Sequence, residues 1–227
     1  MASPKPSVMQ LALGDDFQRL HPKLQSQYAI TSESGLKCAG EGSMEKVTRG
    51  AFHVLPFLAV GAKRYVLFPE TGNDVPFTVE NYAYLDDLGR ETLTWTRIFS
   101  VKKDRRFDEY LVYSEQRKGL VIYAGSHQHL AVDLKVWVDD SGALNFSTGR
   151  QRLYEFPLAI YFPRMFSGTA QVRESYNEEL QRFEIEVDIR NRLFGHIFGY
   201  SGWFHLDQSP CSEIPSNVKP KRTEARD

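Results

Sequence analysis

Arg97 is the residue whose placement most constrains what this chain can do. It lies in Leu93-Thr94-Trp95-Thr96-Arg97-Ile98-Phe99, where strand alternation sets it on one face with Leu93, Trp95 and Phe99. A guanidinium on an inward face must meet an anion or carbonyl oxygens, because burying it unpaired is costly. Three placements are open: an internal salt bridge to a carboxylate such as Glu80 or Glu109, an anchor for the anionic group of a ligand, or an outward face.

A second stretch, Leu193-Phe194-Gly195-His196-Ile197-Phe198-Gly199-Tyr200-Ser201-Gly202-Trp203-Phe204, alternates small residues with large aromatics. In a coiled strand, Gly195, Gly199 and Gly202 would permit sharp curvature while Phe194, Phe198, Tyr200 and Phe204 fill or line an interior. Core packing accounts for this pattern, and so does an aromatic-lined pocket for an apolar ligand, with Tyr161, Phe162 and Met165 at its mouth. The candidate ligand-binding residues are therefore Trp95, Arg97, Phe99, His196, Phe198 and Tyr200.

The remaining chemical signals are weaker. His127 and His129 flank Gln128, and an HxH pair on a strand points both imidazoles one way, as some metal sites require. No further ligands are designated by spacing; His196 and His205 fall on opposite faces by alternation. A solvated strand-end pair is the expectation, and no metal is assigned. Lys102-Lys103-Asp104-Arg105-Arg106 reads as a basic turn between strands, either a solvated tip or a phosphate contact. No serine stands in GxSxG. Carboxylate pairs such as Asp86-Asp87, Asp139-Asp140 and Glu178-Glu179 fall in turns, where they solvate loops. Gly40-Glu41-Gly42 meets neither a phosphate-loop nor a dinucleotide-fold spacing, and reads as a strand edge or bulge with close backbone approach.

The elements that would position these residues follow from periodicity. Phe17, Leu20, Leu24 and Tyr28 recur at helical steps behind the Asp15-Asp16 pair, with Pro22 in a first turn or at a kink. Phe52 to Phe68 is at best a broken helix because of Pro56 and Gly61. From Val75 the period becomes two. Strands are expected over 77–85, 92–99, 107–113, 120–126, 130–138, 144–154, 170–176, 183–190 and 193–206, joined by hairpin turns such as Asp140-Ser141-Gly142. The fold expected is mainly β (α+β): an antiparallel meander closed or nearly closed into a β-barrel, with one or two N-terminal helices. Residues 1–10 are expected to be a flexible start, 11–207 a single β-rich domain, and 208–227 a flexible tail.

Composition removes several function classes. The 227 residues are 41% hydrophobic and 25% charged, enough to bury a core without metal or disulfide support. Lys and Arg number 28 against 29 Asp and Glu, so no overall field draws nucleic acid or an anionic membrane, and polyanion binding would need a local patch. The apolar stretch Ala51 to Ala62 is too short for a transmembrane segment, and the first ten residues do not read as a secretory signal. A cytoplasmic location is expected. Cys38 and Cys211 lack any CxxC or Cys/His spacing and read as ordinary thiols.

Leu13-Gly14-Asp15-Asp16-Phe17-Gln18-Arg19-Leu20-His21-Pro22, the Gly40-Glu41-Gly42 strand, Trp95-Thr96-Arg97-Ile98-Phe99 and Gly195-His196-Ile197-Phe198-Gly199-Tyr200-Ser201-Gly202 resemble, in this order, a bacterial family known as domain of unknown function 4166. The likeness spans about residues 11 to 206. Relatives of that kind stand alone or are attached to NAD(P)-binding reductase-like domains, thiol-oxidoreductase-like domains or membrane segments. The resemblance implies an accessory domain working beside a redox or membrane enzyme, and brings no catalytic residues or cofactor.

Three functions are compatible with these residues. The leading one is a non-catalytic binding or accessory module whose pocket takes a small apolar or amphipathic molecule, with Arg97 as polar anchor. The second is an enzyme using a pocket pair of His196 or His127 with an arginine-bound anion. The third is an interaction domain docking on a redox or membrane enzyme through the aromatics of Phe156 to Phe166.

Overall fold

The alternating stretches become the wall of a closed barrel. The computed structural model describes residues 5–155, 158–161 and 167–226. At the N-terminus, α1 (Val8–Leu13), a 3-10 turn (Gly14–Arg19) and α2 (Pro22–Tyr28) precede β1 (Leu36–Arg49), a 3-10 turn (Phe52–Val54) and α3 (Leu55–Lys63). The strands β2 (Gly72–Leu85), β3 (Glu91–Ser100), β4 (Asp104–Ser114), β5 (Gly119–Ala124), β6 (Leu130–Val138) and β7 (Leu144–Glu155) follow. Then come β8 (Leu158–Tyr161), β9 (Gly168–Asn177), β10 (Arg182–Asn191) and β11 (Gly195–Pro210).

Consecutive strands pair antiparallel from β1 to β7 and from β9 to β11. The β6–β7, β7–β9 and β1–β11 pairings close ten strands into a barrel, with β8 outside the ring on β7. Closure removes the exposed edges that such a meander would otherwise present. Leu93, Trp95, Phe99, Phe183, Ile185, Val187, Phe198, Tyr200 and Phe204 all face the interior cluster, as the alternation requires.

β1 passes between β2 and β11 with few large side chains, and its glycines are needed there. A Cβ on Gly40 would lie 1.8 Å from the His205 carbonyl oxygen, and one on Gly42 2.0 Å from that of Trp203. The expected close backbone approach is thus realised in the middle of the wall. A bulge follows between Ser43 and Lys46, adding the twist that a small barrel needs.

The helices plug one end. Pro22 sits in the first turn of α2, where its missing N–H is no loss. Gly14 ends α1 with a φ of 55°, so the expected single helix over 15–28 is a 3-10 turn and a short helix. Phe17, Leu20, Leu24 and Tyr28 are buried in the main core, and His21 N–H donates to the Gly142 carbonyl in the β6–β7 turn at 2.9 Å.

Both terminal segments make contacts with the barrel among the described residues. Ser7 caps α1 through a capping box with Gln10, and Val8 and Met9 are buried. Beyond Pro210 the chain lies along the outer wall. Val218 packs on Tyr82 and Tyr84, Arg222 Nη2 donates to the Tyr154 carbonyl at 2.8 Å, and Arg90 Nη2 donates to the Glu224 carbonyl at 2.9 Å. Arginine-to-backbone hydrogen bonds thus supply contacts that the low apolar content of the segment does not.

Candidate functional site

The end opposite the plug is open, and its entrance is built by three connections. After β1 the chain crosses the opening as α3 and returns through Tyr65, whose φ of 59° turns it back over the wall. The return is held where Ser126 N–H donates to the Arg64 carbonyl at 2.8 Å and Asp108 N–H to the Tyr65 carbonyl at 2.9 Å. On the far side, Asn191 Oδ1 accepts from the backbone N–H of Leu193 and Phe194, shaping the β10–β11 turn. His53 Nε2 lies 3.1 Å from the Phe194 carbonyl, which ties α3's leading turn to that hairpin.

The third connection loosens the wall. β9 pairs with β7 only from Leu144 to Ser147, and toward the mouth β8 occupies the edge of β7 from Arg152 to Glu155. Side chains bridge the resulting seam: Thr148 Oγ1 accepts from Ala170 N–H at 2.7 Å, and Gln151 Nε2 donates to the Gly168 carbonyl.

Beneath this entrance lies a cavity of about 460 Å³, walled mainly by Val54, Phe57, Leu67, Ile122, Val132, Ile189 and Ile197. The volume is in the range of ligand pockets, and the lining is mostly apolar. Phe107, Glu109, Ile122, Thr148, Ala170 and Ile189 also line a smaller chamber of about 50 Å³ below, which Trp95, Arg97, Glu174 and Tyr200 complete.

The lower chamber is also walled mostly by apolar side chains, Leu134, Phe146, Val172, Ile185 and Val187 among them, but it holds a buried ion pair and a buried carboxyl. Arg97, 7% exposed, donates from Nη1 to Glu109 Oε2 at 2.5 Å, diagonally across β3 and β4. Its guanidinium lies 5.0 Å from the Trp95 ring and 5.3 Å from the Phe107 ring. Burial opposes its charge, but Tyr200 and Glu109 more than offset that and hold it protonated. Of the open placements, the internal salt bridge to Glu109 is the one formed, while Glu80 lies near Lys37 at 3.8 Å. Burial pushes the Tyr200 hydroxyl up to about 12. Glu174 accepts from the Tyr28 hydroxyl at 2.9 Å; burial raises its carboxyl above the ordinary range, against the lowering effects of Tyr28, Gln27 and Arg97.

The six candidate residues divide three ways. Trp95, Arg97 and Tyr200 line the lower chamber. Phe99 and Phe198 belong to an aromatic cluster beside it, each packing on Phe68 with ring centres 5.2 and 4.9 Å away. His196 is the correction: it faces outward, 3.0 Å from Asp188 Oδ1 and 3.0 Å from Thr48 Oγ1. The register slips between Ile189 and Arg190 opposite Ile197, so Ile197 and Phe198 both turn inward and the alternation before them changes phase. His196 therefore makes no pair with Arg97.

Other expected positions fall elsewhere. His127 and His129 stack with ring centres 5.1 Å apart in the β5–β6 turn, where burial and neighbouring cations lower both imidazoles. Among the described residues no group of three metal-ligating side chains is assembled. Cys38 is buried, which pushes its thiol up to about 11 and suits it to packing rather than nucleophilic attack. Tyr161 is on β8, 63% exposed, whereas Phe162 and Met165 lie outside the described residues. No helix among the described residues is long and apolar enough to cross a membrane.

Several lining residues lacked a clear sequence signal. His53, Val54, Phe57, Val66 and Leu67 sit in the broken helical stretch, whose apolar residues do not keep to one face. That two-faced pattern was the available clue, since one face meets the cavity and the other meets solvent.

The comparisons with known proteins agree with this architecture in extent. A chain of Bacillus subtilis (strain 168), described as "Uncharacterized protein YndH", is 30% identical over 194 residues, covering 85% of this chain and 94% of its own length. A model of the family described as "Domain of unknown function (DUF4166)" matches residues 20–204, from the plug to the end of the aromatic strand. The chain belongs to the DUF4166 family.

Proposed function

We propose that this barrel is a non-catalytic binding module whose cavity holds a small apolar or amphipathic molecule. The observation that carries the reading is the two-part cavity: an open apolar chamber of about 460 Å³ above a smaller, mostly apolar one in which Arg97, Glu109, Glu174 and Tyr200 supply the polar groups. Apolar walls favour an aliphatic or aromatic body at roughly 25 cal/mol per Å² of surface removed from water. The polar groups narrow the choice. Arg97 is neutralised by Glu109, so an anion arriving there would meet a carboxylate already in place. A neutral hydroxyl or carbonyl reaching Arg97, Tyr200 or Glu174 suits the lower chamber better than a second charge.

The test uses the intact chain and N-phenyl-1-naphthylamine, an uncharged apolar fluorophore. Saturable binding of one probe per chain is expected, lost in Ala170→Trp and Ile122→Trp, whose indoles would occupy the chamber. Native mass spectra of chain purified from its own cells should retain a non-covalent mass of a few hundred daltons. Probe binding that is unsaturable, or unchanged in both tryptophan variants, would overturn the reading.

A further inference from the structure

The two ends of the barrel carry opposite charge. Among the described residues, the connections at the open end contribute Lys63, Arg64, Lys102, Lys103 and Arg192 against the single carboxylate Glu70. The four hairpin turns at the plugged end contribute seven acidic residues, including Asp86-Asp87, Asp139-Asp140 and Glu178-Glu179, against three basic ones. The sequence shows the same bias over longer stretches. No Asp or Glu occurs between Glu45 and Glu70, between Glu155 and Glu174, or between Asp188 and Asp207, stretches that include α3, β8 and the β10–β11 turn.

Exposed apolar side chains are more numerous at the same end, although Leu85, Leu88 and Leu180 stand exposed at the plugged one. Phe52 is 81% exposed and Val60 56%, while Leu193 and Phe194 project from the β10–β11 turn and Leu158 and Ile160 from β8. Lone exposed apolar residues need no explanation, but a set around one cavity mouth does. Their basic surroundings indicate what covers them. Apolar side chains enter the acyl boundary of a bilayer while flanking Lys and Arg meet anionic headgroups. A second copy set mouth to mouth would oppose two basic rims and is disfavoured.

We propose that the open end docks on an anionic lipid bilayer, with Phe52, Val60 and Phe194 entering the interface and Lys63, Lys102, Lys103 and Arg192 meeting the headgroups. This rests on the reading that the cavity takes an apolar ligand, and deepens it by making the membrane the source of that ligand. A near-neutral chain thereby acquires a local patch of the kind a polyanionic surface needs. α3 lies between bilayer and cavity, so an acyl chain leaving the membrane would pass beside it or through the β7–β9 seam.

The test is flotation of the full chain with vesicles of phosphatidylcholine alone and of equal parts phosphatidylcholine and phosphatidylglycerol. Binding is expected to the anionic vesicles and to fall in high salt. Lys63→Glu/Lys102→Glu should weaken it by about thirtyfold or more. Phe52→Ser/Val60→Ser, at exposed positions that do not line the cavity, should weaken it by about tenfold. Leu180→Ser at the plugged end should leave it unchanged. Ala170→Trp should still float while losing the naphthylamine probe, which separates docking from filling. A chain that takes the probe but ignores anionic vesicles would overturn docking and leave the cavity reading intact. Equal flotation of all variants would overturn it too. So would a self-associated chain, or a complex with an acidic protein, that the rim variants dissolve while no vesicle is bound.

Discussion

At the plugged end Leu20, Leu24 and Tyr28 fill the barrel, and a carboxylate pair stands in three of the four hairpin turns. At the open end α3 crosses a chamber it leaves unfilled, and Phe52, Phe57 and Phe194 stand partly in solvent. The same ten strands serve both ends. What differs is whether the connections send apolar side chains inward to one another or divide them between a cavity and the outside. The plugged end is thus built for cohesion and the open end for access, so a residue's worth to stability depends on which end it occupies.

The sharpest way to break this contrast is by paired truncations. Leu24→Ala, fully buried in the plug, is expected to lower unfolding stability by about 2–5 kcal/mol. Phe52→Ala, 81% exposed at the mouth, should change it by less than about 0.5 kcal/mol. Urea unfolding of both variants measures this, and similar losses would mean the mouth is as cohesive as the plug.

The two ends should also respond to pH with opposite sign. Burial raises the Glu174 carboxyl, so the folded state holds its proton more tightly than the unfolded chain, and the penalty grows as pH rises above the ordinary value near 4.5. Glu174→Gln removes the titration, and its melting temperature relative to the parent should climb between pH 4.5 and 8 by a few degrees. A difference independent of pH would mean the carboxyl stays ionised beneath the cavity.

The smallest effect is expected from His129. Burial lowers it from 6.5, so the unfolded chain takes up the proton first and folded stability is lost as pH falls below that value. His129→Gln should blunt the drop in melting temperature between pH 7.5 and 5.5 by a degree or two. A steeper drop in the variant would show that Glu155, 3.2 Å away, outweighs burial.

Much of the wall could be read from the chain because one inward face imposes a strict period of two. Leu130 to Val138 and Phe183 to Arg190 alternate cleanly and fall within one residue of β6 and β10. β1 was visible only through its glycines, since its inward positions include Gly40 and Gly42, which carry no hydrophobic signal. His196 was misplaced because a bulge changes phase without marking the sequence. The contacts of the C-terminal segment run through Arg90, Arg222 and backbone carbonyls, which composition does not register. At the site, Trp95, Arg97 and Tyr200 followed from alternation. The upper chamber did not, because α3 and the seam owe their positions to long-range contacts rather than to local pattern.

The β1–β11 ladder also sets the tempo of folding. It joins residues 36–49 to 198–210, so the ring closes only after nearly every other strand exists, and a topology of such distant pairings folds in milliseconds to seconds rather than microseconds. During synthesis β1 must wait roughly ten to thirty seconds for β11, at the usual rate of chain elongation. Through that interval a 14-residue edge with glycine notches is open to any passing strand. The N-terminal helices emerge before β1, so the part of the molecule that later plugs the barrel is already available while that edge waits for its partner.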